Sequence, residues 1–143
     1  MIRKPLLALL AAAALAAPAA ALAGDGFKVI VHPDVRSQRA SRDEVSRIFL
    51  KKTTRWADGV EIRVVQPRVG TAARRAFDPA IHRLQPTAIR AYWSQMVFSG
   101  RDVPPVERAT DEQIVEFVKL TPGAVGFVSE GAAVAGVRVL EVQ

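Results

Sequence analysis

Val60-Glu61-Ile62-Arg63-Val64-Val65-Gln66-Pro67-Arg68-Val69-Gly70-Thr71-Ala72-Ala73-Arg74-Arg75 is the stretch on which the reading of the fold turns. Val60, Ile62 and Val64 alternate with Glu61 and Arg63, the period-two pattern of a strand with one wet face. Pro67 ends the run because it has no N–H to give to a ladder. Gly70 then lets the backbone turn, Thr71 is placed to cap, and a short helix is predicted through Phe77, limited by Pro79. A strand feeding a helix in this way is the building unit of an α/β domain.

Upstream, Phe27-Lys28-Val29-Ile30-Val31 is a β-branched run stopped by Pro33 and reads as a buried strand. A polar loop follows from Asp34 to Ala40. Ser41 with Glu44 three residues later forms a capping box, and Val45, Ile48 and Phe49 give one apolar face, predicting a helix of about ten residues from Ser41. Trp56-Ala57-Asp58-Gly59 reads as a turn in which the indole is partly exposed.

Downstream, Pro86 suits the first turn of a helix that carries Ala88, Ile89, Tyr92, Trp93, Met96 and Val97 in pairs recurring every four residues, up to a stop at Gly100. Pro104-Pro105 forces extended chain, and Thr110 with Gln113 forms a second capping box for a helix through Leu120, with Ile114, Val115 and Val118 inward. Pro122-Gly123 terminates it, Val125 to Val128 makes a strand, and Val137, Val139 and either Leu140 or Val142 make the last one after a Gly/Ala-rich turn. The alternation predicts an α/β class with a mixed or largely parallel sheet flanked by helices.

The chain has 143 residues, half of them apolar, with a net charge of +6 and no cysteine. Its first 23 residues differ from the rest: basic Arg3 and Lys4, an Ala/Leu run from Leu6 to Ala17, then Ala21-Leu22-Ala23. This is the n-region, h-region and small-x-small cleavage pattern of a secretory signal peptide, and the run is shorter than the roughly 20 residues a spanning helix needs. Residues 1–23 are therefore expected to be removed after Ala23, leaving one exported, periplasmic domain of residues 24–143. Arg3 and Lys4 leave with the signal, so the domain carries 18 basic and 14 acidic residues, or +4. Without cysteine it has neither a disulfide framework nor thiol chemistry.

The positive charge is concentrated. Seven basic residues between Arg36 and Arg55 face only Asp43 and Glu44, and six between Arg63 and Arg90 face only Asp78. Such a surface favours small anions, acidic partners or anionic lipid heads. Export and the lack of a recognisable nucleic-acid motif exclude nucleic acid from the expected partners. Catalytic constellations are not evident: His32 and His82 stand fifty residues apart without a second ligand at metal spacing, and no nucleophile elbow or phosphate-binding loop is present. The carboxylate pairs Asp43/Glu44 and Asp111/Glu112 sit in first helical turns, where the macrodipole favours them. No enzymatic activity, cofactor or metal is expected. The aromatic residues Phe77, Tyr92, Trp93, Phe98, Phe117 and Phe127 read as core.

The most informative constellation is again the strand-to-helix turn. The opening of a helix after Gly70 presents backbone N–H groups, and Thr71 adds a hydroxyl. Arg74 and Arg75 lie in the first turn, where the dipole would prefer acids, which is what one expects if negative charge arrives there as a ligand. Arg68, Gly70, Thr71, Arg74 and Arg75 are therefore the candidate anion-binding residues.

Three segments together resemble a known family. Ser41 to Lys52 followed by Arg55-Trp56-Ala57-Asp58-Gly59, the Gly70-Thr71 turn with Phe77, and Pro122-Gly123-Ala124-Val125-Gly126-Phe127-Val128 are similar, in order and approximate spacing, to segments of the phosphate-binding proteins of ABC transporters. The resemblance covers Val29 to about Val142. It implies a type 2 periplasmic-binding-protein fold, of which this chain would be a short, single-lobe relative, and it implies phosphate or a similar oxyanion as ligand. Val69 stands where the family motif has serine, Arg68 only approximately matches the family's binding arginine, and Leu50 is followed by Lys51 rather than the family's glycine. A second expectation follows from the missing lobe: a module that has lost ligand binding and docks on an envelope protein, such as a transporter, porin or sensor, or on a second copy of itself.

Overall fold

The structure, a computed structural model, describes residues 26–143. The expected signal peptide, residues 1–23, lies outside the described residues. Six strands form one sheet: β1 (Phe27–Val31), β2 (Arg39–Ala40), β3 (Arg63–Pro67), β4 (Val106–Arg108), β5 (Ala124–Ser129) and β6 (Arg138–Val142), in the spatial order β2-β6-β1-β5-β3-β4. The sheet is mixed. β1 runs antiparallel to both its neighbours, with Val29 opposite Phe127 and Leu140, whereas β3 is parallel to β4 and β5, and β2 is parallel to β6.

Helices α1 (Arg42–Phe49), α2 (Ala72–Phe77), α3 (Pro86–Phe98) and α4 (Asp111–Leu120) cover it. One face packs Val29, Val31 and Phe127 against Val45, Phe49 and Phe77 of α1 and α2. Phe77 and Phe127 stack with ring centres 3.7 Å apart, and Phe49 meets both edge-on. The other face packs Ile30, Val65 and Val128 against Ile114 and Val118 of α4. Burying each such aliphatic or aromatic side chain is worth about 1.5–3 kcal/mol. Helix α3 stands apart from both layers: Ile89 and Trp93 close on Leu50 at the end of α1, and the Tyr92 hydroxyl donates to the Leu50 carbonyl at 2.8 Å.

The local signals explain most of these elements. The Ser41 hydroxyl accepts from the Glu44 amide while the Glu44 carboxylate accepts from the Ser41 amide at 2.7 Å, the reciprocal box expected for α1. The Thr110 hydroxyl caps α4 by accepting from the Gln113 amide, but the Gln113 side chain reaches one residue further, to the Ala109 amide.

Several expectations are corrected. β3 starts at Arg63 rather than Val60, because residues 55–61 close a tight loop in which the Trp56 amide donates to the Val60 carbonyl. The wet side expected from Glu61 and Arg63 is confined to its start: both are exposed, but Val64, Val65, Gln66 and Pro67 are all buried, since β3 runs between two partners and beneath helices on both sides. Pro79 does not end the helical path, which continues as a π-helical turn from Asp78 to His82. Trp56 is buried and donates its indole N–H to the Gly123 carbonyl at 2.9 Å. Phe98, expected in the core, is 98% exposed.

Candidate functional site

The turn between β3 and α2 forms as its residue types require. Gly70 sits at φ +89°, where a side chain would be strained, and Thr71 takes the extended conformation of an N-cap. The Thr71 hydroxyl does two jobs, accepting from the Arg74 amide at 3.3 Å and donating to the Arg68 carbonyl at 2.9 Å. The Arg75 guanidinium folds back and donates to the Gly70 carbonyl. The amides of Ala72 and Ala73 open the helix and have no carbonyl acceptor within it. With the exposed Arg68 and Arg75 they are the donors at this turn; Ala72 is exposed and Ala73 is buried.

Arg74 takes a different course. It is only 6% exposed: its Nε donates to Asp78 at 3.3 Å, a terminal nitrogen donates to the Pro67 carbonyl at 3.0 Å, and the Glu107 carboxylate lies 3.7 Å away. Burial pushes the Asp78 carboxyl above its ordinary value, and the Arg74 charge and hydrogen bond work against that rise. Behind this group, His82 is held neutral, its pKa lowered to about 4 first by burial and then by the charges of Arg74 and Lys52. Its Nδ1 lies 2.8 Å from the Ser46 hydroxyl.

Arg74, Asp78 and Glu107 also line a cavity of about 480 Å3 between the end of β3 and helix α3. The five candidate residues are thus divided. Arg68, Gly70, Thr71 and Arg75 come together at the surface, and Arg74 is turned into a buried ion cluster. The sequence reading missed Gln66, Asp78, Glu107 and Trp93 as members of this region. Asp78 could have been found, because it stands four residues after Arg74 on one helical path. Glu107 could not, because only the pairing of β4 with β3 brings it there.

No protein-family model and no curated protein matches the sequence. Solved structures do match its fold. A candidate phosphate ABC transporter substrate-binding protein from Clostridium perfringens, solved with bound phosphate, superposes with a TM-score of 0.67 at 18% identity, over 84% of this chain and 46% of that one. The fold of this chain thus matches one lobe of a phosphate-binding-protein fold. An ABC-type phosphate transport receptor from Vibrio cholerae gives a TM-score of 0.65 at 17% identity, over 84% of this chain and 47% of the receptor. PstS from Borrelia burgdorferi gives 0.65 at 13% identity, over 82% and 47%. The chain therefore spans about half the length of each, and in this fold α2 follows the end of β3, the strand next to the sheet edge formed by β4. Among the described residues no helix is long and apolar enough to cross a membrane.

Proposed function

We propose that this is an exported, non-enzymatic protein that binds phosphate or a similar oxyanion at the opening of α2. The observation that carries the reading is the turn itself: a glycine at φ +89° and a capping threonine leave two helix amides unbonded beside two exposed arginines, on the fold of a phosphate-receptor lobe. The Ala72 and Ala73 amides receive the oxyanion, Gly70 and Thr71 shape the turn, and Arg68 and Arg75 neutralise charge. Arg74 acts from behind by fixing the strand end to α2 and adding its positive field. One lobe offers one wall, so affinity is weak, with a Kd in the range of about 0.1–10 mM.

Isothermal titration with phosphate, against sulfate and a chloride control, tests this. Arg68→Ala, Arg75→Ala and Thr71→Ala each weaken binding severalfold. The absence of heat at millimolar phosphate overturns the proposal. Arg74→Ala is a poor probe, because it leaves Asp78 buried without its partner, a change that costs about 3–5 kcal/mol of stability.

A second reading is favoured by the exposed Phe98, flanked by Val97 and Val103 at 52% and 60% exposure. On this reading the lobe is a docking module for an envelope protein and has lost its small ligand. Stoichiometric capture of an envelope protein by the wild type but not by Phe98→Ser, with no phosphate heat, would establish it over the first.

A further inference from the structure

The cavity beside β3 is built differently from the surface at the opening of α2. Its walls are apolar: Ile89, Trp93 and Val97 recur every four residues along one face of α3, Val69 and Pro104 come from the loops after β3 and before β4, and Phe98 adds a fully exposed ring. Its polar members are of two kinds: Gln66, Arg74 and Asp78 are buried, at 5%, 6% and 5% exposure, whereas Arg90, Ser94 and Glu107 are exposed. A cavity of about 480 Å3 with an apolar lining and a few convergent polar groups is the ordinary form of a small-molecule site.

Two features specify the ligand. The charges of the lining cancel, since Arg74 and Arg90 oppose Asp78 and Glu107, and Arg74 is already bonded to Asp78 and the Pro67 carbonyl. An ionised ligand would enter without a free counter-charge in the buried part of the cavity. Gln66 is the exception among the buried polar groups. It is uncharged, only 5% exposed and part of the cavity lining, and no buried side-chain polar atom among the described residues lacks a partner, so any amide atom of Gln66 not bonded within the protein is open to the cavity or to solvent. A buried primary amide offers two donors and an acceptor, and leaving them unmet is costly.

We propose that this cavity binds a neutral, largely apolar small molecule, aromatic in its body, whose single amine, amide or hydroxyl group meets the side chain of Gln66. Trp93 and Phe98 supply aromatic faces for the body. The site is independent of the oxyanion reading, because it needs neither the α2 amides nor Arg68 and Arg75.

N-phenyl-1-naphthylamine is a suitable probe: it is neutral, it fluoresces in apolar surroundings, and its N–H can donate to the Gln66 carbonyl. The purified exported protein is expected to show one saturable site, with energy transfer from Trp93. Val97→Trp fills the cavity from its half-exposed edge and lowers affinity at least about tenfold, and Gln66→Met, similar in shape but without the amide, lowers it about fivefold. Far-UV circular dichroism confirms that both variants fold. The sulfonate analogue 8-anilino-1-naphthalenesulfonate binds more weakly than the neutral probe. The proposal is overturned by an unsaturable signal, by affinity unchanged in Val97→Trp, or by a dimer whose formation expels the probe. Competitive displacement of the probe by phosphate also overturns it, because the cavity would then be an oxyanion site.

Discussion

His82 is enclosed by the Phe77 ring, 5.5 Å away and edge-on, and by the Ser46 hydroxyl, with the charges of Arg74 and Lys52 acting on it. Protonating it in the folded protein puts a third cation among these groups in a partly dehydrated place, so its pKa falls from 6.5 to about 4. The unfolded chain binds that proton near pH 6.5, so the stability linked to His82 is complete above that pH and is lost as pH falls toward about 4. The loss reaches about 3 kcal/mol, at 1.36 kcal/mol per pKa unit. Asp78 runs the other way: its folded pKa is raised, so its ionisation draws on stability as pH rises through the carboxylate range. Urea unfolding at about pH 7, 5.5 and 4.5 should show the decline, and His82→Gln should flatten it. An unchanged slope in the variant would place the acid sensitivity elsewhere. That His82 stands fifty residues from the other histidine, His32, was visible in the sequence. Its burial was not, because it depends on a π-helical turn that carries the chain past Pro79.

Among the elements, β5 holds the sheet together, and its entry is the most constrained backbone in the fold. Gly123 adopts φ +79°, and a Cβ there would lie 2.3 Å from the Glu61 carbonyl oxygen. The same Gly123 carbonyl accepts from the Trp56 indole and the Arg63 amide, which ties the 55–61 loop to the start of β3. Gly123→Ala therefore combines a left-handed conformation with a clash against backbone that cannot yield, and should cost about 3 kcal/mol or more. Gly100→Ala, at φ +67° in open space, should cost about 1 kcal/mol. Equal shifts of the two urea midpoints would refute the contrast. The element pattern was largely legible in the sequence, since capping boxes and apolar spacing are local. The two-residue β2 and three-residue β4 were not, because so few residues carry no periodicity. The pairs along α3 told which face is apolar and not how much of it is covered. Only Ile89 and Trp93 are buried; Tyr92 and Met96 pack partly buried beside them, and Val97 borders the cavity.

At the scale of the whole molecule, the chain is one lobe where the receptors it matches are about twice as long. On the oxyanion reading proposed above, a single lobe gives the ligand one wall, so an oxyanion at the α2 opening would keep much of its hydration and bind weakly, as the titration should show. The cavity next to α3 has a better enclosed ligand position than the turn from which the anion site was read, which is why neutral and anionic ligands deserve separate tests. What the sequence determined by itself was whatever depends on neighbours along the chain: the α/β alternation, the caps of α1, α2 and α4, and the Gly70-Thr71 turn. Tertiary structure decided the rest. Burial of β3 on both faces, the approach of Glu107 to Arg74, and the gathering of Gln66 and Trp93 around one cavity all arise from strand order and helix packing, because groups distant along the chain set one another's charge and exposure only once the sheet has brought them together.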